Sequence, residues 1–188
     1  MKMQSTKIIC ISGKAGHGKD ATGEFMRQFL VGKGKAAIVL HYADLLKYIC
    51  TQCFEWNGIK DETGRSLLQY VGTDIVRKRD ENFWVDYIAR FLKVFEGEWD
   101  YAIIPDCRFP NECSRLKDSG FNVSHVRVVR TGFDTALSES QQAHISETAM
   151  LHVVPDYNIH NHSSLEQLKV SAENVASKIL YTYEREST

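Results

Sequence analysis

The sequence predicts an α/β fold, in which a parallel sheet is covered by helices on both faces. Short apolar runs alternate with segments of helical periodicity along the whole chain. The first apolar run leads directly into a glycine-rich loop, and the composition, 43% hydrophobic and 25% charged, is that of an ordinary globular protein. At 188 residues the chain is close to the size of one domain, so we expect a single domain over 1–188.

The first half of the chain is predicted to contain two strands and four helices. The strands are short apolar runs flanked by polar residues, as expected of buried strands. The helices carry apolar residues at helical spacing, and the fourth shows an unbroken apolar face. In order, the predicted elements are strand Lys7–Ser12, helix Asp20–Leu30, strand Ala37–His41, a helix that carries Leu45, Leu46, Ile49 and Cys50, helix Ser66–Arg77 and helix Phe83–Phe95.

The second half is predicted to contain three strands and two helices. The first of these helices ends at Gly120, which is typical of a helix C-terminus. The second begins at a capping box formed by Ser163 and Glu166. In order, the predicted elements are strand Tyr101–Pro105, helix Asn111–Ser119, strand Asn122–Val129, strand Tyr157–His160 and a helix that carries Leu165, Leu168, Ala172, Val175 and Ile179.

Charge, hydropathy and cysteine content argue against several classes of protein. Lys and Arg number 23 against 24 Asp and Glu, so the basic excess of a nucleic-acid-binding protein is missing. The longest apolar run, 36–40, is far shorter than the ~20 residues of a membrane helix. Five cysteines, with Cys50 and Cys53 as an isolated CxxC pair, predict reduced thiols in the cytoplasm. We therefore expect small-molecule partners, and the sequence leaves monomer and homodimer open.

The glycine-rich loop has the spacing G-x-x-x-x-G-K of a phosphate-binding loop, and it lies between a predicted strand and a predicted helix. Glycines allow the backbone N–H groups to point at a phosphate chain, and the helix dipole favours its negative charge. Lys19 would place a full charge on the β- and γ-phosphates. The residues predicted to bind ATP here are Gly13, Lys14, Ala15, Gly16, His17, Gly18, Lys19, Asp20 and Ala21.

The loop departs from the usual motif at the residue after the lysine, where Ser or Thr normally holds Mg²⁺. Here that residue is Asp20, and a carboxylate is a good hard-oxygen ligand for Mg²⁺, directly or through water. Thr22 lies two residues further on and is the less favoured candidate. The predicted requirements are therefore ATP and Mg²⁺.

Three further residues, Asp106, Arg108 and Arg130, are predicted to lie near the phosphates. Asp106 and Arg108 follow the strand Tyr101–Pro105, and the carboxyl ends of parallel strands lie beside such a loop. Arg108 would neutralise a transferring phosphoryl group, while Asp106 would act on a metal-bound water or, through a donor, on the acceptor phosphate. A surface Asp–Arg pair of little energetic value is the alternative. Arg130 would supply a third cation at the end of the fourth strand.

The segment 131–156 is predicted to form a short lid over the site. Residues 131–160 contain no Lys or Arg, so the cations of the site must come from Lys14, Lys19, Arg108 and Arg130. Acidic residues do occur there, namely Asp134, Glu139, Glu147 and Asp156. His144 and Glu147 are the candidate contributors from the lid, and a solvated helix face explains them equally well.

The helical region 43–97 is predicted to bind the phosphoryl acceptor. Gln69, Thr73 and Arg77 recur at i, i+4 and i+8 on one face of a predicted helix. Such a face would offer hydrogen bonds to a base and a clamp for a phosphate, although a polar face exposed to solvent is equally consistent. Trp84 belongs to an apolar face, so core packing is the default interpretation and base stacking the alternative.

The order of these motifs resembles that of the bacteriophage deoxynucleoside monophosphate kinases over roughly residues 7–170. In that family an Asp also follows the loop lysine. The Gly-Thr-Asp helix, the Pro-Asp-x-Arg strand end and the His-x-Ser-Glu segment make the resemblance specific. The similar stretches are Ser12–Asp20, Leu68–Asp74, Phe83–Val85, Asp100–Arg108, His125–Arg130 and His144–Glu147.

The resemblance implies a phage or prophage kinase that transfers the γ-phosphate of ATP to a deoxynucleoside monophosphate. It also implies a three-layer sandwich with a five-stranded parallel sheet. Gln69 and Trp84 would read and stack on the acceptor base, Arg108 and Arg130 would serve the phosphates, and Asn161 would lie near the adenine of ATP. The residues predicted for the acceptor site are Asp44, Gln69, Thr73, Arg77, Trp84, Arg108, His144 and Glu147.

Two other functions remain open on sequence grounds. One is a kinase of the same fold that acts on another small acceptor, of the dephospho-coenzyme A or phosphomevalonate type. The other is a module that binds ATP without transferring its phosphate.

Overall fold

The computed structural model describes residues 6–133, 135, 137–162 and 164–186. Five strands form one sheet in the order β2-β3-β1-β4-β5, and every neighbouring pair is parallel. The predicted five-stranded parallel sheet is therefore confirmed. The strands are β1 (Lys7–Ser12), β2 (Ala37–Val39), β3 (Tyr101–Cys107), β4 (Val123–Val129) and β5 (Tyr157–His160).

Helices cover both faces of the sheet. The described helices are α1 (Lys19–Gly32), α2 (Tyr42–Cys53), α3 (Glu62–Gln69), which continues into a π-helical segment (Tyr70–Arg77), α4 (Phe83–Val94), α5 (Pro110–Asp118), α6 (Glu139–Ala143), α7 (Ile145–Thr148) and α8 (Leu165–Glu186). None of them is long and apolar enough to cross a lipid bilayer.

Alternate residues of the central strand β1 face two separate layers of core. Ile9 and Ile11 pack with α1 and α8, whereas Ile8 and Cys10 pack with α2, α4 and α5. Because both faces are covered, every residue of β1 is buried. The three-layer arrangement holds the carboxyl ends of β1, β3 and β4 at one edge of the sheet, where the predicted site residues follow.

Besides shifts of one or two residues at other boundaries, the structure differs from the predicted elements at two places. The second strand ends at Val39, and His41 instead caps α2 with an extended backbone. The predicted helix Ser66–Arg77 is part of α3 followed by the π-helical segment. A π-helix has i→i+5 hydrogen bonds, and a search for the 3.6-residue period of an α-helix does not detect that change.

Two sequence predictions fall on residues outside those described, namely the acidic lid residue Asp134 and the capping residue Ser163. At the start of α8 the hydroxyl of Ser164 accepts a hydrogen bond from the Gln167 N–H at 3.2 Å.

Candidate active site

The glycine-rich loop connects β1 to α1, as its sequence predicts. Gly13, Gly16 and Gly18 have φ values of +149°, +78° and +95°, a region that other residues rarely adopt. A Cβ atom at Gly13 would lie 2.4 Å from the carbonyl oxygen of Val128 in β4. The glycines are therefore required both by the turn and by the close approach of β4.

Lys19 is the first residue of α1 and is 8% exposed. Its Nζ donates a hydrogen bond to the carbonyl of Lys14 at 3.0 Å. Burial lowers the pKa of Lys19 to about 8, and the charge of Arg108 acts in the same direction. Glu147, Asp20 and Asp106 oppose that shift. The loop thus holds a desolvated amine that can pair with a phosphate, and the neighbouring carboxylates favour the charged form of that amine.

Asp106 lies near the end of β3, where its carboxylate caps the N-terminus of α2. Oδ1 accepts the N–H of Tyr42 at 3.1 Å, and Oδ2 accepts the N–H of Ala43 at 2.9 Å. Desolvation raises the pKa of Asp106, whereas these hydrogen bonds oppose the rise. This positioning role was not predicted from sequence, because it depends on a helix that begins 64 residues earlier.

We predict that Asp106→Asn lowers the free energy of unfolding by about 1–3 kcal/mol. An amide keeps one acceptor oxygen but presents an N–H₂ group to one of the two backbone N–H donors, which then lacks a partner. Urea unfolding followed by circular dichroism measures the difference. Asp118→Asn, at an exposed position in α5, is the matched control and should change the value little. Equal stability of Asp106→Asn and wild type would contradict the capping role.

Arg108 connects the end of β3 to the segment 131–156. Its Nη1 donates to the Glu147 carboxylate and, at 3.4 Å, to the carbonyl of Ser146. The other oxygen of Glu147 accepts the N–H of Ala15 in the glycine-rich loop at 3.2 Å. A single carboxylate thus bridges a loop amide and a guanidinium, two groups that a phosphate would also bind.

Glu112 organises the turn that carries Arg108, a role that the sequence analysis missed. Its Oε2 accepts the N–H groups of Arg108 at 2.6 Å and Phe109 at 3.0 Å, and its Oε1 lies 3.2 Å from Arg77 Nη1. Burial raises the pKa of Glu112 to about 7. Pro110 at the first helical position and Glu112 at the third are signals from which this cap could have been found.

Two of the residues predicted for the acceptor site also have structural partners. The Arg77 guanidinium stacks 3.7 Å from the ring centre of Phe109, in addition to its contact with Glu112. Trp84 is buried in the core and donates from Nε1 to the carbonyl of Gly72 at 3.0 Å. Core packing, the default interpretation of Trp84, is therefore confirmed, although Trp84 is also among the residues that line the cavity described next.

A cavity of about 410 Å³ separates the glycine-rich loop from α3 and the π-helical segment. Most of the predicted acceptor and catalytic residues line it, together with part of the loop. Those predicted residues are Ala15, Gly16, Lys19, Asp20, Gln69, Thr73, Arg77, Trp84, Asp106, Arg108 and Glu147. Asp44 and His144 lie outside its lining; Asp44 pairs with Lys47 at 2.8 Å, and His144 Nδ1 accepts the N–H of Ser146 at 3.2 Å. The cavity therefore joins the loop to the predicted acceptor face.

Three cations of this cavity were missed from sequence, namely Lys47, Lys60 and Arg65. They lie in or next to α2 and α3, where charged residues are expected to face solvent. No pattern in the sequence distinguishes them from other surface lysines and arginines.

A second cavity, of about 360 Å³, lies between the loop and the segment 131–156. Arg130 lines this cavity. Its Nη1 donates a hydrogen bond to the carbonyl of Gly16 at 3.4 Å, and the Arg130 guanidinium lies 4.4 Å from the ring centre of Phe133. His17 Nδ1 accepts the Arg130 N–H at 3.2 Å, and Asn161 donates to the carbonyl of His17 at 3.0 Å. Arg130 thus lies at the outer side of the loop, and Asn161 braces the loop backbone.

The side chains of Asp20 and Thr22, the two candidate ligands of Mg²⁺, differ in orientation. Thr22 is fully buried, and its hydroxyl donates to the carbonyl of Gly18 at 2.9 Å, so it is turned into α1 and away from both cavities. Asp20 is exposed, and His41 lies 3.4 Å from its Oδ1. The hydrogen bond from His41 lowers the pKa of Asp20, which keeps its carboxylate ionised. The structure therefore disfavours Thr22 and leaves Asp20 as the hard-oxygen donor.

The described part of the segment 131–156 is hydrogen-bonded to the rest of the protein around Gln141 and around residues 150–153. Gln141 donates to the carbonyl of Glu62 at 3.0 Å and to the hydroxyl of Ser66 at 3.1 Å, while the carbonyl of Gln141 accepts from Gln69 at 3.3 Å. Arg127 in β4 donates to backbone carbonyls at 150–153. The segment thus covers the space between the loop and α3.

Comparison with known proteins found relatives of this chain. The family model for deoxynucleotide monophosphate kinase matches residues 29–171. The deoxynucleotide monophosphate kinase of Enterobacteria phage T4 is 36% identical over 121 residues, which make up 63% of this chain and 47% of the phage protein. The chain thus spans about half the length of that curated relative.

Solved structures of other kinases share the fold at low sequence identity. The APS kinase of Mycobacterium tuberculosis, in complex with AMPPNP and APS, has a TM-score of 0.54 at 12% identity and covers 96% of this chain and 98% of its own. A gluconokinase from Sinorhizobium meliloti 1021 has a TM-score of 0.51 at 13% identity over 98% of this chain and 99% of its own. With a family match that spans most of the residues around both cavities, the chain belongs to the deoxynucleotide monophosphate kinase family.

Proposed function

We propose that the protein transfers the γ-phosphate of ATP to a deoxynucleoside monophosphate, giving ADP and the diphosphate. The observation that carries the proposal is the junction of the two cavities, where Ala15, Arg108 and Glu147 line both spaces and Lys19 lies beside them. A donor bound along the loop and an acceptor bound against α3 would meet at this junction. Membership of the family supports the same reaction.

The proposed chemistry requires positioning and charge neutralisation. An acceptor phosphate is already ionised, so in-line attack by its oxygen needs no strong general base. This agrees with the position of Asp106, whose two oxygens hold the N-terminus of α2. Lys19 and Arg108 would neutralise the phosphoryl group in transit, and Arg130 would bind the donor at the outer side of the loop.

The acceptor would occupy the 410 Å³ cavity. Gln69 and Thr73 offer hydrogen-bonding groups to a base, and Lys47, Lys60 and Arg65 in the lining of the same cavity supply positive charge. We propose that 43–97 is the acceptor-binding region and that 131–156 acts as the lid. A closed lid excludes water, which would otherwise compete as the acceptor.

The residues present are suited to Mg²⁺ beside the loop. Asp20 is ionised, exposed and adjacent to Lys19, and carboxylate oxygen is a ligand that Mg²⁺ prefers. When bound, Mg²⁺ would offset charge on the β- and γ-phosphates. His41 Nε2 lies 3.4 Å from Oδ1 of the Asp20 carboxylate.

An ADP-release assay tests the proposal. Purified protein is incubated with ATP, Mg²⁺ and each deoxynucleoside monophosphate in turn, and the products are separated by anion exchange. We expect ADP and the matching diphosphate in equal amounts with at least one acceptor, and little ADP without one. Acceptor-dependent ADP only with dephospho-coenzyme A or phosphomevalonate, or ATP binding with no transfer, would overturn it.

The lowered pKa of Lys19 predicts a pH dependence of ATP binding. The protonated amine binds the polyphosphate, and the free protein loses this proton as the pH rises through about 8. Affinity for ATP should therefore fall above about pH 8, by up to about tenfold per pH unit. Calorimetric titrations from about pH 7 to about pH 9.5 at constant ionic strength measure it. Lys19→Arg, which stays charged, should show a flatter profile, and equal profiles would contradict the prediction.

A further inference from the structure

Three cysteines from separate elements meet beneath the glycine-rich loop. Cys10 lies in β1, Cys107 is the last residue of β3 and Cys113 lies in α5. Their three sulfur atoms all lie within 4.8 Å of one another, and those of Cys107 and Cys113 are 3.9 Å apart. All three side chains are buried, and we call them the thiol cluster.

The spacing of the thiol cluster is close to that of three ligands on one metal ion. With zinc–sulfur bonds of about 2.3 Å, three sulfurs in a plane around the ion are about 4.0 Å apart. The cluster already has one pair at 3.9 Å and no pair beyond 4.8 Å. Shifts of less than about 1 Å would therefore complete such a site, which rotations of buried side chains can supply.

The thiol cluster also adjoins a cavity. Cys107 lines the 360 Å³ cavity together with Ser12, Arg108 and Met150. The sulfurs of Cys10 and Cys113 lie within 4.8 Å of the Cys107 sulfur. A buried metal site requires an entry path, and this cavity is the candidate path to the cluster.

We propose that Cys10, Cys107 and Cys113 form a binding site for one thiophilic divalent metal ion of the zinc group. Binding replaces the thiol protons with metal–sulfur bonds and releases those protons to solvent, so no oxidant or reductant takes part. Because Cys107 lies between Asp106 and Arg108, an occupied site would also restrain the turn that carries Arg108. Only the significance of this restraint for Arg108 rests on the proposed function, and the metal site itself does not.

Cadmium titration of the full chain tests the site. The protein, kept reduced with a phosphine, is titrated with Cd²⁺ while the thiolate-to-cadmium absorption in the ultraviolet is recorded. We expect one Cd²⁺ per chain, displaced by Zn²⁺, and at least a tenfold loss of affinity in Cys113→Ala and in Cys107→Ala. Cys53→Ser removes an exposed cysteine outside the cluster and should leave the titration unchanged. No absorption change in wild type, or unchanged titrations of both cluster variants, would overturn the proposal.

X-ray absorption at the cadmium edge keeps the test independent of any variant that fails to fold. On wild-type protein with one equivalent of Cd²⁺ we expect three sulfur neighbours. A first shell of nitrogen and oxygen alone would show that the ion binds elsewhere, and would overturn the proposal even if the kinase assay succeeds.

Discussion

Lys19→Ala is expected to lower kcat/KM for ATP by at least about a thousandfold. The amine is held in place by burial and by its hydrogen bond to the carbonyl of Lys14, so it meets the phosphates without reorganisation. Alanine removes the charge at the point where the phosphoryl group would be transferred in the proposed reaction. Steady-state rates of ADP release, with ATP varied at a saturating acceptor concentration, measure the loss.

Two controls separate this effect from a loss of fold. Lys178→Ala removes an exposed lysine from α8, far along the chain from the loop, and should retain wild-type kinetics. The thermal midpoint of Lys19→Ala should stay close to that of wild type or rise, because burying a lysine charge opposes folding. A Lys19→Ala protein with activity within tenfold of wild type would contradict the role of the lysine in transfer.

The framework of the site could be predicted because its signals are local. The strand Lys7–Ser12, the glycine-rich loop and Lys19 follow one another within 13 residues, and each imposes its own geometry. The positive φ of Gly13, Gly16 and Gly18 is what the glycine spacing indicates. The inner strands β1, β3 and β4 could be predicted equally well, since their apolar runs reflect burial on both faces of the sheet.

The partners within the site could not be predicted, since they depend on contacts between distant elements. The sequence predicts a role for Asp106 near the phosphates. The N–H groups that donate hydrogen bonds to its oxygens, however, are determined by where α2 begins. Thr22 has the right chemistry for a metal, yet its hydroxyl bonds to the preceding turn of α1. The thiol cluster likewise depends on the pairing of β1 with β3 and on the packing of α5, which no spacing of cysteines along the chain encodes.

The carboxylate of Glu147 contacts both the glycine-rich loop and Arg108. It was predicted as a lid residue of the acceptor site, and the structure places its carboxylate between the Ala15 amide and Arg108. In that position it occupies groups that a phosphate also seeks. Any variant of Arg108 therefore changes two things, the charge available to the phosphates and the partner of Glu147.

Arg108→Ala is expected to lower kcat by about 100- to 1,000-fold, with a much smaller effect on the dissociation constant of ATP. Arg108 lines both cavities at their junction, where charge would develop during transfer. Because of this position, removing its guanidinium should destabilise the transition state more than it weakens the binding of ATP. Single-turnover transfer and equilibrium ATP titration measure the two quantities separately. Arg115→Ala, which breaks a surface pair with Asp86 in the same region of the chain, is the control and should leave both unchanged.

The double variant Arg108→Ala with Glu147→Gln distinguishes two explanations for the lower kcat of Arg108→Ala. If removing the arginine mainly leaves an unpaired Glu147 carboxylate to repel the phosphates, neutralising Glu147 should restore most of the rate and the ATP affinity. If the arginine stabilises the transferring phosphoryl group, the double variant should stay as slow as Arg108→Ala. We expect the second result, because amide–phosphate contacts at the loop remain in both proteins and only the cation is missing. Recovery to within tenfold of wild type would instead make Arg108 a counter-ion for the lid, with transfer dependent on Lys19 and the loop.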